Sequence, residues 1–198
     1  MDCVPSTKTE IRAAILSARR AAPADLRRAE SDALCARLAG LAQPGETVCA
    51  YVPVGSEPGS PAMLDVLVAA GARVLLPVAR EDDAGIPLPL SWGEYRDGEL
   101  VEARFGLREP SGPWLAADAI RAASTIVVPA LAVDRAGVRL GRGAGFYDRS
   151  LSMAGPSARL IALVRDDELV DHLPGDPHDV PMTHALTPAF GLVELGVQ

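Results

Sequence analysis

Cysteine, aromatic residues and lysine are all scarce in this chain, and each scarcity narrows what the protein can be. The three cysteines, Cys3, Cys35 and Cys49, are widely spread and form no CxxC. That excludes a disulfide framework and a cysteine-based zinc site, and it points to a reducing compartment, the cytoplasm. No apolar stretch approaches the roughly 18 uninterrupted residues of a spanning helix, so no membrane association is expected. The opening MDCVPSTKTE has no apolar h-region, so no secretion signal is expected either. Periodic glycine and internal repeats are missing, which excludes a collagen-like chain or a tandem array. Basic residues are outnumbered, 19 against 26 acidic ones, for a net charge of −7. A broad phosphate-backbone footprint is therefore not expected, nor is nucleic acid as a partner. Any positive charge that holds an anion must be local.

What is present is an apolar fraction of 48% in 198 residues. A fold of that length hides roughly 70% of the surface of its unfolded chain, enough for one core without staples. We expect a single domain over residues 1–198. Residues 7–21 and 24–41 are Ala-, Leu- and Arg-rich and predict two helices, with Pro23 suited to a first turn and Gly40 near a stop. TVCAYVP (47–53) and RVLLPVA (73–79) predict strands. Between them, Ser60-Pro61 starts a helix that Gly71 ends, which makes a βαβ unit. STIVVPALAV (124–133) predicts another buried strand, followed by a glycine-rich loop, a helix near 146–154 and the strand RLIALVR (159–165). Continuous apolar runs belong to strands covered on both faces. The expected fold is therefore α/β, a three-layer α-β-α arrangement around a mostly parallel central sheet. Residues 81–118 predict an irregular excursion with short strands.

The densest chemical signal is Val133 to Arg149, VDRAGVRLGRGAGFYDR. Alternating Gly141, Gly143 and Gly145 follow a strand and open a helix. Glycine allows φ > 0 and close backbone approach, so successive N–H groups can converge on an anion near a helix N-terminus. The segment lacks GxxxxGK[ST], and Phe146 stands where GxGxxG needs its third glycine, so neither familiar nucleotide motif is present. Residues 134–149 hold four arginines and two aspartates, a local excess of positive charge. Arg139 and Arg142 offer planar forks to phosphate oxygens, and Asp148 offers a hard oxygen ligand of the kind Mg²⁺ prefers. The same glycines also suit a plain packing turn with solvated charges.

At 100° per residue, Lys8, Arg12 and Arg19 fall within about 40° of one another on the first helix, between Ile15 and Leu16. The stripe thus borders the apolar face, so long stems can pack along the core edge while the heads enter a cleft. Lys8 and Arg12 are i,i+4 neighbours able to share one anion. Lys8 is also the sole lysine of the chain. His172, His178 and His184 recur every six residues, a spacing that matches no short ligand motif.

Taken together, Lys8-Thr9-Glu10-Ile11-Arg12, Tyr51-Val52-Pro53 leading to Glu57, Phe105-Gly106-Leu107-Arg108-Glu109-Pro110, Val128-Pro129-Ala130-Leu131 and above all Arg139 to Asp148 resemble the 5-formyltetrahydrofolate cyclo-ligase family. Pro177-His178-Asp179-Val180-Pro181 and Leu186-Thr187-Pro188 extend the resemblance toward the C-terminus, whereas residues 80–104 match poorly. The resemblance implies an enzyme that uses ATP as co-substrate and Mg²⁺ to convert 5-formyltetrahydrofolate into 5,10-methenyltetrahydrofolate, with release of ADP and phosphate. It implies ATP contacts from Lys8, Arg12, Arg139, Leu140, Gly141, Arg142, Gly143, Ala144, Gly145, Phe146 and Tyr147. Folate contacts would come from Val52, Glu57, Arg142, Gly143, Ala144, Gly145 and Phe146, and metal contacts from Asp148 and Asp179. Ala144 stands where Lys or Gly is frequent, Phe146 replaces the first of a Tyr pair, and Thr183 stands at an often acidic position. The partners implied are small molecules, acted on by a monomer. Judged on residues alone, Glu57 also suits a helix N-terminus and Asp179 a turn. A noncatalytic nucleotide or folate binder and a sugar-phosphate isomerase-like enzyme on the same scaffold remain alternatives.

Overall fold

A computed structural model describes residues 7–176 and 179–196, so Cys3, Pro177 and His178 lie outside the described residues. Helix α1 (Lys8–Ala21) starts at a reciprocal cap. The Thr7 hydroxyl accepts the Glu10 N–H at 3.3 Å, and the Glu10 carboxylate accepts the Thr7 N–H at 3.1 Å, which satisfies two of the orphan donors of the first turn. Helix α2 (Ala24–Ala39) follows Pro23 and ends at Gly40. Strands β1 (Thr47–Cys49) and β2 (Arg73–Val78) flank α3 (Ala62–Ala69). Three short strands, β3 (Ser91–Glu94), β4 (Leu100–Glu102) and β5 (Arg108–Pro110), make up the excursion. Then come β6 (Thr125–Pro129), β7 (Ala132–Asp134), β8 (Arg139–Leu140), α4 (Phe146–Leu151) and β9 (Arg159–Leu163). The described chain ends with β10 (Leu169–Val170), β11 (His184–Thr187) and β12 (Gly191–Glu194).

The large sheet has the order β12-β11-β9-β6-β1-β2-β3. Its five inner strands are parallel, and β12 and β3 join the edges antiparallel. Successive side chains enter opposite layers, as the two-residue period requires. Val48, Val127, Ile161 and Leu163 pack with Leu34, Leu38, Leu64 and Leu67 of α2 and α3. Cys49, Ile126, Val128, Leu160 and Ala162 pack on the other face with Trp92, Ile120 and Leu151. Both faces are therefore covered, which is why the strands read as continuous apolar runs. No helix among the described residues is long and apolar enough to cross a membrane.

Three boundaries differ from the sequence reading. The run 47–53 pairs as a strand only to Cys49; Ala50 to Val52 stay buried and turn toward the site. The run 124–133 splits in two. Pro129 has no N–H to continue the ladder, so the chain leaves the large sheet there and Ala132–Asp134 joins a separate small sheet, β10-β7-β8. The helix expected over 146–154 is shorter, closing at Leu151. Helix α1 packs on the small sheet through Ile11, Ile15 and Leu16 against Leu131, Leu140 and Leu173. The small sheet thereby fixes both the glycine loop and the basic stripe.

Candidate active site

Asp134, 1% exposed, anchors the turn that launches the glycine loop. Its Oδ1 accepts the N–H groups of Ala136 at 3.0 Å and Val138 at 2.8 Å, and its Oδ2 accepts that of Leu173 at 3.0 Å. Within this turn Gly137 has φ +94°, and a Cβ there would lie 2.5 Å from the Met182 carbonyl oxygen. Only glycine fits, and the Met182 N–H donates to the Gly137 carbonyl at 2.8 Å. The loop after β8 is thus held at its root.

Beyond the turn, a cavity of about 250 Å³ opens between residues 139–148, the segment 51–57, the β2 end, residues 107–109 and the 129–131 crossover. Of the residues expected to form the site, Val52, Glu57, Arg139, Gly141, Arg142, Gly143, Ala144, Gly145, Phe146, Tyr147 and Asp148 line it together. Leu140 points away, into the α1 interface. Arg12 reaches the loop from α1: its Nε donates to the Gly141 carbonyl at 2.9 Å, and its guanidinium lies about 3.6 Å from where a Gly143 Cβ would stand. Gly143 itself has φ +102°, so its missing side chain serves both the left-handed backbone and the Arg12 approach.

Lys8 does not line this cavity. Its Nζ bonds Asp176 at 2.6 Å and Asp179 at 3.2 Å. The Asp176 hydrogen bond is the largest influence raising the lysine pKa. Asp179 also accepts the Asp176 N–H at 2.8 Å. Asp148 takes Arg139 Nη2 at 2.5 Å, and Arg139 lies over the Tyr147 ring, 5.7 Å from its centroid. Each carboxylate expected to hold metal is therefore paired with a cation expected to hold phosphate. No cluster of three His, Cys, Asp or Glu occurs among the described residues. The donor set nonetheless suits Mg²⁺, which keeps several waters and takes one or two carboxylates plus phosphate oxygens rather than an all-protein cage.

Glu57 has a side chain only 8% exposed, paired with Arg142 Nε at 3.0 Å and accepting the Val54 N–H at 2.9 Å. Burial raises its pKa, against the Val54 amide and the charges of Arg142 and Arg19. The walls between these polar ends are apolar, formed by Val52, Pro77, Leu90, Leu107 and Pro129.

Several lining residues were not expected. Glu109, 3% exposed, accepts the Ala79 N–H and Arg80 Nη1, both at 2.8 Å, and closes the β2 end. The resembling Leu107-Arg108-Glu109 segment was the available signal. Tyr51 donates to the Pro58 carbonyl at 3.2 Å and shapes the turn that carries Glu57. Arg19 also lines the cavity; its place on the basic stripe marked it, but its buried partner Glu168 could not be read from sequence.

A parallel α/β sheet with a cation- and glycine-lined cavity at the crossover beside it is the architecture of a small-molecule site, suited to an anion lying against an apolar wall. A profile of the 5-formyltetrahydrofolate cyclo-ligase family matches residues 4–188, and the chain belongs to that family. It is 62% identical over 191 residues to a Mycolicibacterium smegmatis protein named 5-formyltetrahydrofolate cyclo-ligase, covering 96% of this chain and 98% of that one. An Escherichia coli protein of the same name is 31% identical over 144 residues, 72% of this chain and 78% of its own. The fold matches the 5,10-methenyltetrahydrofolate synthetase of Aquifex aeolicus with a TM-score of 0.77 at 23% identity, covering 96% and 94% of the two chains. It also matches that of Mycoplasma pneumoniae with a TM-score of 0.67 at 18% identity, covering 88% and 94%.

Proposed function

We propose that this chain converts 5-formyltetrahydrofolate to 5,10-methenyltetrahydrofolate at the expense of ATP, with the cavity between Glu57 and the 139–148 loop as its active site. The chemical obstacle is a poor leaving group, since a formamide oxygen cannot depart as hydroxide at neutral pH. Its lone pair attacks the γ-phosphorus of ATP, the bond from that phosphorus to the bridging oxygen breaks, and ADP departs. The formyl carbon, its oxygen now phosphorylated, is then electrophilic. N10 of the same folate attacks it and gives up its proton, the C–O bond breaks, and inorganic phosphate leaves with the former formyl oxygen and takes up that proton. Such a sequence asks the protein for positioning and charge neutralisation rather than for a nucleophile.

The observation that carries this reading is the make-up of this cavity, where a buried carboxylate paired with Arg142, further arginines, three glycines and apolar walls line the same space. Glu57 would accept the ring N–H donors of the pterin while Val52 packs on its face. Arg139 and Arg142 would hold phosphate oxygens, and the loop from Leu140 to Tyr147 would wrap the nucleotide. Arg12 braces that loop, and Lys8 with Arg12 would meet the outer phosphates. Arg142 to Phe146 would touch both substrates. Asp148 and Asp179 would hold Mg²⁺, which when bound neutralises charge on the triphosphate. The partners would be these two small molecules, acted on in the cytoplasm by a monomer organised as one domain.

Incubation with 5-formyltetrahydrofolate and Mg-ATP tests the proposal. Growth of the near-ultraviolet band of the conjugated methenyl product, dependent on ATP, is expected. Folded protein that gives no such signal would remove it.

A further inference from the structure

Arg19 is 1% exposed, yet its guanidinium is unequally engaged. Nε and Nη2 clamp the two carboxylate oxygens of Glu168 at 2.6 and 2.7 Å, and Nη2 also donates to the Ala130 carbonyl at 2.7 Å. Nη1, on the opposite edge of the fork, is buried and has no partner among the described residues. Leaving such a donor unmade is costly in a folded interior, and in native proteins it marks a site of function more often than an oversight. Arg19 lines the active-site cavity, and with Glu57 it also borders a second hollow between the 55–60 turn and α2. Its charge is felt at Glu57. Arg19 and the carboxylate already assigned to the ring donors thus line the same space.

We propose that Nη1 of Arg19 donates to the ring carbonyl oxygen of the pterin, so that Arg19 and Glu57 together read its lactam edge. This deepens the proposed function and rests on the reading of Glu57 as the ring's acceptor. A lactam edge presents in a row one carbonyl acceptor, one ring N–H and one exocyclic amine. A carboxylate satisfies the two donors and leaves the carbonyl needing a donor fixed next to it. Tyr51 gives its proton to the Pro58 carbonyl, and Arg142 is half exposed and already paired with Glu57. Arg19 is locked by three hydrogen bonds, so it offers Nη1 without the cost of ordering a long side chain. Replacing the carbonyl by an amine would turn the acceptor into a donor facing Nη1 and would also remove the neighbouring ring N–H, so the wild type loses two contacts, of which only the first depends on Arg19.

The test is equilibrium binding, without ATP, of a reduced folate and its 4-amino analogue to the wild type, to Arg19→Met and to Arg19→Lys. The lysine variant keeps a cation against Glu168 but removes the fork, and it reports where Arg19→Met fails to fold. We expect both variants to weaken the 4-oxo compound about tenfold or more while leaving the 4-amino compound within about threefold. Equal weakening of both compounds, or of neither, overturns the assignment and leaves the folate reading standing. Wild-type protein that binds neither compound overturns both.

Discussion

Arg142 and Glu57 form an ion pair on the cavity wall, and their variants separate chemistry from packing. Arg142 has a side chain 49% exposed, so its removal leaves no buried partner stranded except a carboxylate that can protonate. Arg142→Ala is expected to cut turnover by about 100-fold or more, with Tm moving by less than about 3 °C. Comparable losses of both would mean the residue serves packing. Glu57 carries a pKa raised chiefly by burial, so folding favours its neutral form. The stability it contributes is complete below the ordinary value of 4.5 and is lost as pH rises through the higher folded value. Glu57→Gln removes that dependence. Its Tm relative to wild type should therefore rise between pH 4 and pH 8 in thermal melts while the KM for the folate increases; a Tm difference constant with pH would contradict the burial argument. Asp148→Asn should shift the Mg²⁺ titration of activity upward by about tenfold, and an unchanged titration would count against metal contact. These roles were legible because arginine, glycine and aspartate were concentrated in one short segment. Arg19 was legible only as part of a stripe, because the acid that buries it lies 149 residues away.

The turn between β7 and β8 is the element on which the site depends. Asp134 draws three backbone N–H groups onto one carboxylate, and Gly137 lets the chain pass within contact of Met182. Gly137→Ala would place a methyl 2.5 Å from a carbonyl oxygen on a left-handed backbone. It should cost about 3 kcal/mol, a fall in Tm of roughly 6–12 °C. A melt within a degree or two of wild type would show that the turn yields and does not hold the loop. Both βαβ units could be read from the sequence, because strands covered on two faces leave long apolar runs between recognisable helix starts and stops. The small sheet could not. Residues 124–133 are buried on either side of the break, so burial carries no trace of it; the break arises at Pro129 and at Ala130, whose carbonyl is claimed by Arg19.

Across the whole molecule, the sheet sets one end of the cavity and the small sheet with α1 sets the other. A chain with a net charge of −7 thereby concentrates its cations where phosphate would lie, and arrangement rather than total charge determines what it can hold. The three-layer fold was readable from the alternation of elements, but the joining of the Glu57 turn to the arginine loop was not, because it is long-range packing that brings residues 52–57 and 139–148 to one space. The mechanism proposed for this cavity carries the formyl oxygen into the leaving phosphate. The direct measurement is mass spectrometry of phosphate released from 5-formyltetrahydrofolate labelled with oxygen-18 in the formyl group. One labelled phosphate per methenyl product is predicted, and unlabelled phosphate with the label recovered in water would contradict it.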